Sequence, residues 1–227
     1  MDKLTKWENL RISEIEDIDK NKIIVIPIGS VEAHGNHLTI NTDNITAQFL
    51  ASELCKETNS ILGTPVTIGN SSKLVDFPGT LTVRSEILKE YLKDVIVSYK
   101  RSGFNKILIL NGHRGNDNWI KQTLDELNDK NVKSVSYASL LELDDSYKSR
   151  HSGRLETEVV MTSKMSFVDM DKAEDHYIED DKLVKNKYPK DLMPECIDGF
   201  PTKANVKDGR EVVKQLLVKL KEALGKF

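Results

Sequence analysis

The sequence predicts an α/β fold: a single-domain α/β/α sandwich whose central sheet is largely parallel. Three observations carry this expectation. Short apolar, β-branched runs, KIIVIPIG at 22–29 and KILIL at 106–110, lead into glycine-containing loops, as strands buried on both faces do. Helical spacing follows each of them, over 43–58 and 116–128. Strand–helix alternation favours parallel pairing, because parallel neighbours need a crossover connection.

In chain order, the run at 22–29 is a strand bounded by Gly29. DNITAQFLASELCKET (43–58) reads as a helix with Asp43 or Asn44 near its N-cap and Ile45, Phe49, Leu50 and Leu54 along one face. A short strand is expected at 61–68. PGTLTVRSE closes a loop, and Ser85 is placed as the N-cap of a helix that runs through ILKEYLKDVIVSYKRSG and stops at Gly103. KILIL, a helix over 116–128 and a strand at KSVSYASL (133–140) come next. Residues 169–208 are charged and Pro-interrupted, and 169–200 read as a surface excursion able to act as a flexible lid. GREVVKQLLVKLKEAL then restores helical spacing. No repeat or linker divides residues 1–227.

Charged residues make up 30% and hydrophobic ones 38% of 227 residues, a globular composition. A net charge of -3 with no dense Lys/Arg run argues against nucleic acid or a membrane surface as partner. Cys55 and Cys196 are the two cysteines and form no CxxC motif, so a disulfide scaffold is not expected and a reducing cytoplasm fits. The start MDKLTKWENL lacks a signal-peptide core, and no apolar run approaches the ~20 residues of a membrane span.

VEAHGNHLTINTD, residues 31–43, sets Glu32, His34, His37 and Asp43 just after the first strand, in a chain with five histidines. Glu32 and His34, two apart in an extended loop, can converge on one cation, with Asp43 aimed back from the head of the next helix. The same residues also suit an N-cap and a solvated loop, and at this point both readings stand. His113, in NGHRGN after KILIL, shifts the balance, because two strand ends on one sheet edge now each deliver an imidazole. Gly112 and Gly115 permit tight turns there. Glu, His, Asp and His together suit Zn, Mn or Fe, and an Asp able to bridge suits a two-metal site. In RHSGRLETE, His151 and Glu156 join this set if their loop reaches the same edge, whereas Glu158 reads as an acid at a capped helix start with Ser152 as the cap.

These motifs resemble the creatininase family of metal-dependent amidohydrolases. PIGSVEAHGNHLTINTD, FPGTLTVRSE, GFNKILILNGHRGN, HSGRLET and DGFPTKANVKDG are similar, in order, to five family segments. The resemblance implies an α/β/α fold, homo-oligomers with a hexamer among the candidate sizes, and two divalent metal ions (Zn, Mn or Fe) at the sheet's carboxyl edge. It implies Glu32, His34, Asp43 and His113 as metal ligands, Asp43 as their bridge, and His37 as a residue that orients a ligand from behind. Creatininase itself carries a Glu two residues after the loop His, where this chain has Gly115. The motif is closer to the Asn-Gly-His-x-Gly-Asn members, and Glu156 becomes the candidate for the missing metal carboxylate.

The expected function is hydrolysis of a C–N bond in a small non-peptide or cyclic amide, of formamide or lactam type, by a metal-activated water. A formamide ranks ahead of creatinine because the creatininase Glu is absent. His151 or Glu156 would carry the proton to the leaving nitrogen. Asn111 and Asn116 would hydrogen-bond the loop or the substrate, and Arg114 would meet an anionic group or remain solvated. The alternatives are a non-catalytic metal- or metabolite-binding protein of the same fold, or a terminal peptidase acting on a short modified peptide.

Overall fold

The computed structural model describes residues 4–141, 147, 151–179, 190 and 192–227. Five strands, β1 (Thr5–Lys6), β2 (Ile24–Ile28), β3 (Ile61–Leu62), β4 (Ile107–Asn111) and β5 (Val132–Ser136), form one parallel sheet in the order β1-β3-β2-β4-β5. The helices are α1 (Ile12–Asp17), α2 (Thr42–Thr58), α3 (Ser85–Arg101), α4 (Asp117–Leu127), α5 (Arg154–Lys164) and α6 (Val206–Leu224). The predicted α/β class and parallel sheet are what the chain adopts.

Alternation along the strands assigns the layers. Ile24, Ile26, Ile28, Ile107 and Ile109 pack with Leu88, Leu92 and Ile96 of α3 and Trp119 and Ile120 of α4. Val25, Leu62, Leu108 and Leu110 face the other way, onto Leu50 and Leu54 of α2, Val159 of α5 and Leu216 and Leu220 of α6. Chain direction explains the split. The β2–α2–β3 crossover steps one way along the sheet, while β3–α3–β4 steps back across β2. Right-handed connections therefore put α2 and α3 on opposite faces. That reversal opens a crevice at the carboxyl ends of β2 and β4, where open α/β sheets bind ligands.

Register brings three strand ends to one level, with Ile28 opposite Asn111 and Asn111 opposite Ser136. Pro27 is tolerated in a central strand because its carbonyl side faces β3, which has already ended. Val66 N–H reaches the Pro27 carbonyl at 2.9 Å, and no ladder bond to β4 is lost. Leu92 is fully buried among the α3 contacts. We expect Leu92→Ala to lower unfolding free energy by about 2–5 kcal/mol, measured by urea denaturation.

Several local expectations are corrected. The strand at 61–68 shrinks to Ile61–Leu62 plus one bridge from Val66 to Ile28, and KSVSYASL is strand only to Ser136 before a 3-10 turn over Tyr137–Ser139. α2 buries Ala47, Leu50, Ala51 and Leu54, leaving Ile45 and Phe49 half-buried. Ser85 lies inside α3, whose N-cap is Arg84, and its hydroxyl accepts from Asn70 Nδ2. Of the excursion at 169–200, residues 180–189 and 191 lie outside the described residues. Its described ends pack: Ile178, Met193 and Cys196 are buried with Leu74 and Phe77. Among the described residues, no helix is long and apolar enough to cross a membrane.

Candidate metal centre

Each strand end at the crevice supplies part of one cluster. β2 runs into the loop with Glu32 and His34, and the first turn of α2 returns Asp43 to the same place. Asp43 is therefore not the N-cap, which is Asn41. β4 delivers His113 after Gly112, where backbone must pass close: a Cβ on Gly112 would sit 2.5 Å from the Asp43 carbonyl. The Thr80 hydroxyl, in the FPGTLTVRSE loop, accepts from Ala33 N–H at 3.1 Å and pins the segment between Glu32 and His34. His151 and Glu156 arrive from the start of α5, held by paired hydrogen bonds between the His151 and Asp198 backbones.

Six side chains converge. Asp43 spans the cluster, with Oδ1 3.3 Å from His34 Nε2 and Oδ2 3.1 Å from His113 Nδ1. Glu32 Oε1 lies 3.3 Å from His113 Nδ1 and 3.5 Å from His151 Nδ1, and Glu156 Oε2 lies 3.9 Å from His34 Nε2. Three triads have donor atoms within 4.8 Å of one another: Glu32–Asp43–His113, His34–Asp43–Glu156 and Glu32–His34–His151. The first two share Asp43.

Backbone carbonyls set the tautomers. His34 Nδ1–H donates to Glu32 O at 3.1 Å, His113 Nε2–H to Asn70 O at 3.0 Å, and His151 Nε2–H to Ala33 O at 2.6 Å. In each ring the other nitrogen faces the acids, the arrangement that orients metal-binding imidazoles. Ser152 N–H donates to Glu156 Oε2 at 2.5 Å. Glu32 Oε2, His34 Nε2 and Asp43 Oδ2 are buried without a hydrogen-bond partner. Orphaned atoms of this kind are costly unless a ligand satisfies them, and an N/O donor set fits a divalent cation.

Charge in the cluster is mutually determined. Burial disfavours protonated His34, but Asp43, Glu156 and Glu32 together outweigh it, and the ring is pushed up to about 10. His113 is likewise raised, burial being overcome by Glu32 and Asp43. Burial alone would raise Asp43, yet His34 and His113 hold it well below the usual carboxylate range, and His113 lowers Glu32 in the same way. His151 is lowered by burial and then by His34, so it is neutral at neutral pH. The protons held on His34 and His113 offset the acids, and a bound cation would displace them.

The remaining candidates do other work. His37 Nε2–H donates to Thr157 Oγ1 at 3.1 Å, so it braces the first turn of α5, one residue from Glu156. Burial, then His34 and His151, lower it to about 4. Asn111 donates to His113 O and Asp117 Oδ1 and accepts from His113 N–H, each within 3.1 Å. Asn116 donates to Gly29 O and accepts from Asn70 N–H and Trp119 Nε1–H, lacing three loops together. Both asparagines are thus engaged by the loops around them. Arg114 is exposed on the cavity wall. Ser152 does not cap α5, whose N-cap is Gly153; its hydroxyl donates to Cys196 O. Glu158 is buried outside the cluster, held by Arg154 and the Tyr147 hydroxyl at 2.8 Å each.

Above the cluster opens a cavity of about 280 Å³, lined by Glu32, Asp43, His113, His151 and Glu156 and also by Ser136 and Tyr137. Sequence reasoning missed those last two, although the rule applied to β2 and β4 would have found them at the end of β5. Gly115 explains itself sterically. A Cβ there would press into His113 Nε2 and lie 2.5 Å from Asn70 O. We expect Gly115→Ala to break the His113–Asn70 hydrogen bond and to cost about 1–3 kcal/mol in urea unfolding.

A family model described as creatinine amidohydrolase, the creatininase model, matches residues 8–224. Among curated proteins, 3-dehydro-scyllo-inosose hydrolase of Thermotoga maritima is 30% identical over 99 residues, 43% of this chain and 32% of that protein. A 2-amino-5-formylamino-6-ribosylaminopyrimidin-4(3H)-one 5'-monophosphate deformylase of Methanococcus voltae is 33% identical over 116 residues, 50% of this chain and 43% of that protein. In both, less than half of the relative's own length is spanned. A solved structure of creatininase with Mn superposes with a TM-score of 0.85 at 19% identity, over 98% of each chain, a likeness of fold.

Proposed function

This chain belongs to the creatininase family, and on that footing we propose that it is a metal-dependent amidohydrolase cleaving a C–N bond of a small non-peptide or cyclic amide with water. The observation that carries the reading is Asp43, buried and shared between two triads in which Glu32 Oε2, His34 Nε2 and Asp43 Oδ2 itself have no hydrogen-bond partner. Glu32, Asp43 and His113 would hold one divalent ion, and His34, Asp43 and Glu156 the other. Zinc or manganese suits these donors. Two such ions would supply a water acidic enough to attack near neutral pH and a Lewis acid for the carbonyl oxygen.

The chain's own residues do the rest. Carbonyl tethers on His34 and His113 keep their donor nitrogens aimed inward. His151 lines the cavity with its Nδ1 turned toward Glu32, and its role is to pass a proton to the leaving nitrogen, which departs poorly as an anion. Buried walls limit the water that can enter. Arg114 at the mouth suits a substrate with a carboxylate or phosphate away from the reacting bond.

A formamide ranks first as substrate. Creatininase has a Glu at the place of Gly115, where this chain has no room for a side chain, and the deformylase relative acts on a formylamino group. A homo-oligomer in the cytoplasm is part of the same proposal, and light scattering checks the assembly. The test is to load the protein with zinc or manganese, count ions per chain, and screen formamides, lactams including creatinine, and an inosose. Two ions and formamide turnover are expected. Ions without turnover would leave a binding protein, and turnover of the inosose alone would end the amide reading.

A further inference from the structure

We propose that the Tyr137 hydroxyl binds the oxygen of the scissile carbonyl, donating a hydrogen bond that strengthens as that oxygen gains negative charge. This rests on the amidohydrolase reading above. Tyr137 directly follows Ser136, which stands level with Asn111 and so with Ile28 at the carboxyl edge of the sheet. The third strand end thus faces the same crevice as the two that deliver Glu32 and His113. Its ring is 2% exposed and packs in the core layer with α2, α5 and α6, which fixes the position of the phenol.

Tyr137 lines the cavity. The charged groups that act on its hydroxyl are Glu156 and Asp43, members of the second triad, and Arg114 at the mouth. Among the described residues the hydroxyl makes no hydrogen bond, although buried tyrosines ordinarily find a partner. Beside it, Ser136 Oγ is also buried without a partner and lines the same wall. Two hydroxyls unpartnered among the described residues, on a wall facing clustered acids, are donors in need of an acceptor. An uncharged carbonyl oxygen supplies one.

The phenol, kept protonated by burial, acts as donor throughout. In the step itself, a water oxygen bonds to the carbonyl carbon, the C–N bond breaks, and a proton reaches the departing nitrogen. Tyr137 neither gains nor loses a proton. Its contribution is larger in the tetrahedral state than in the planar amide, so it is seen in kcat more than in KM.

The test compares wild type, Tyr137→Phe and Ser136→Ala as metal-loaded full chains. Each is measured for ion content, thermal midpoint and calorimetric binding of methylphosphonate, a tetrahedral anion. Phe keeps the ring packing and removes no hydrogen bond among the described residues, so the Tyr137→Phe protein should hold the same ions and melt no lower than wild type. It should bind methylphosphonate at least about tenfold more weakly. On any amide that wild type hydrolyses, kcat should fall about 10²-fold with KM nearly unchanged. Ser136→Ala should weaken the probe less. Equal probe affinity in wild type and Tyr137→Phe, or a lower midpoint with lost ions, would overturn the assignment. Wild type that holds two ions yet neither binds methylphosphonate nor turns over an amide would overturn the amidohydrolase reading, and this one with it.

Discussion

Asp43→Ala is expected to purify with neither ion and with amide hydrolysis at the background rate. Asp43 is the member common to the His113 and Glu156 triads, and its two oxygens face opposite imidazoles at 3.1 and 3.3 Å. Removing it strips both halves at once. A metal contributes several kcal/mol of transition-state stabilisation, and at about 1.4 kcal/mol per tenfold this is a loss of about 10³-fold or more. Ion content by mass spectrometry and turnover on the best screened amide check it together; two retained ions would end the shared-carboxylate reading.

The same variant has a pH signature in the metal-free state. Asp43 is the main group raising His34, whose proton binding shifts from 6.5 to about 10 on folding. A raised histidine stabilises the fold fully below pH 6.5 and loses that contribution as pH climbs toward 10. Metal-free wild type should therefore out-melt metal-free Asp43→Ala most at pH 6, with the gap closing at alkaline pH. Because ion binding expels these protons, wild-type metal affinity should fall as pH falls, and calorimetry in buffers of different ionisation enthalpy should register proton release.

Glu156 and His151 should separate by what they lose. Glu156→Gln is expected to retain one ion, held by Glu32, Asp43 and His113, and to lose about 10³-fold in turnover. Glu156 Oε2 faces His34 and Asp43 and is anchored by Ser152 N–H, a ligand's setting. His151→Asn should keep both ions and lose about 10²–10⁴-fold in kcat, the usual size of a proton-transfer contribution. Glu156→Gln with two ions would return Glu156 to proton transfer and require another carboxylate for the second metal.

Much of this was legible before any coordinates. Strand–helix alternation fixes a parallel sheet because local period and crossover handedness leave few other solutions. The Glu32–His34–Asp43 loop and His113 stood out because each follows a buried strand. Less was legible where tertiary packing overrode local rules. Ser85 and Ser152 look like helix caps, but their hydroxyls serve Asn70 and Cys196, contacts made by distant segments. For Asn111 and Asn116 the pattern leaves loop and substrate both open, and only folding shows their side chains bonded to neighbouring loops.

By itself the sequence determined the fold class, the strand ends that carry chemistry and the donor types they present. These depend on short-range pattern, which a chain displays in one dimension. The tertiary structure alone decided that Asp43 stands between two triads, that Gly115 has no room for a side chain, and that Tyr137 reaches the cavity. Each of those depends on distances between residues far apart in the chain, set by sheet order and register.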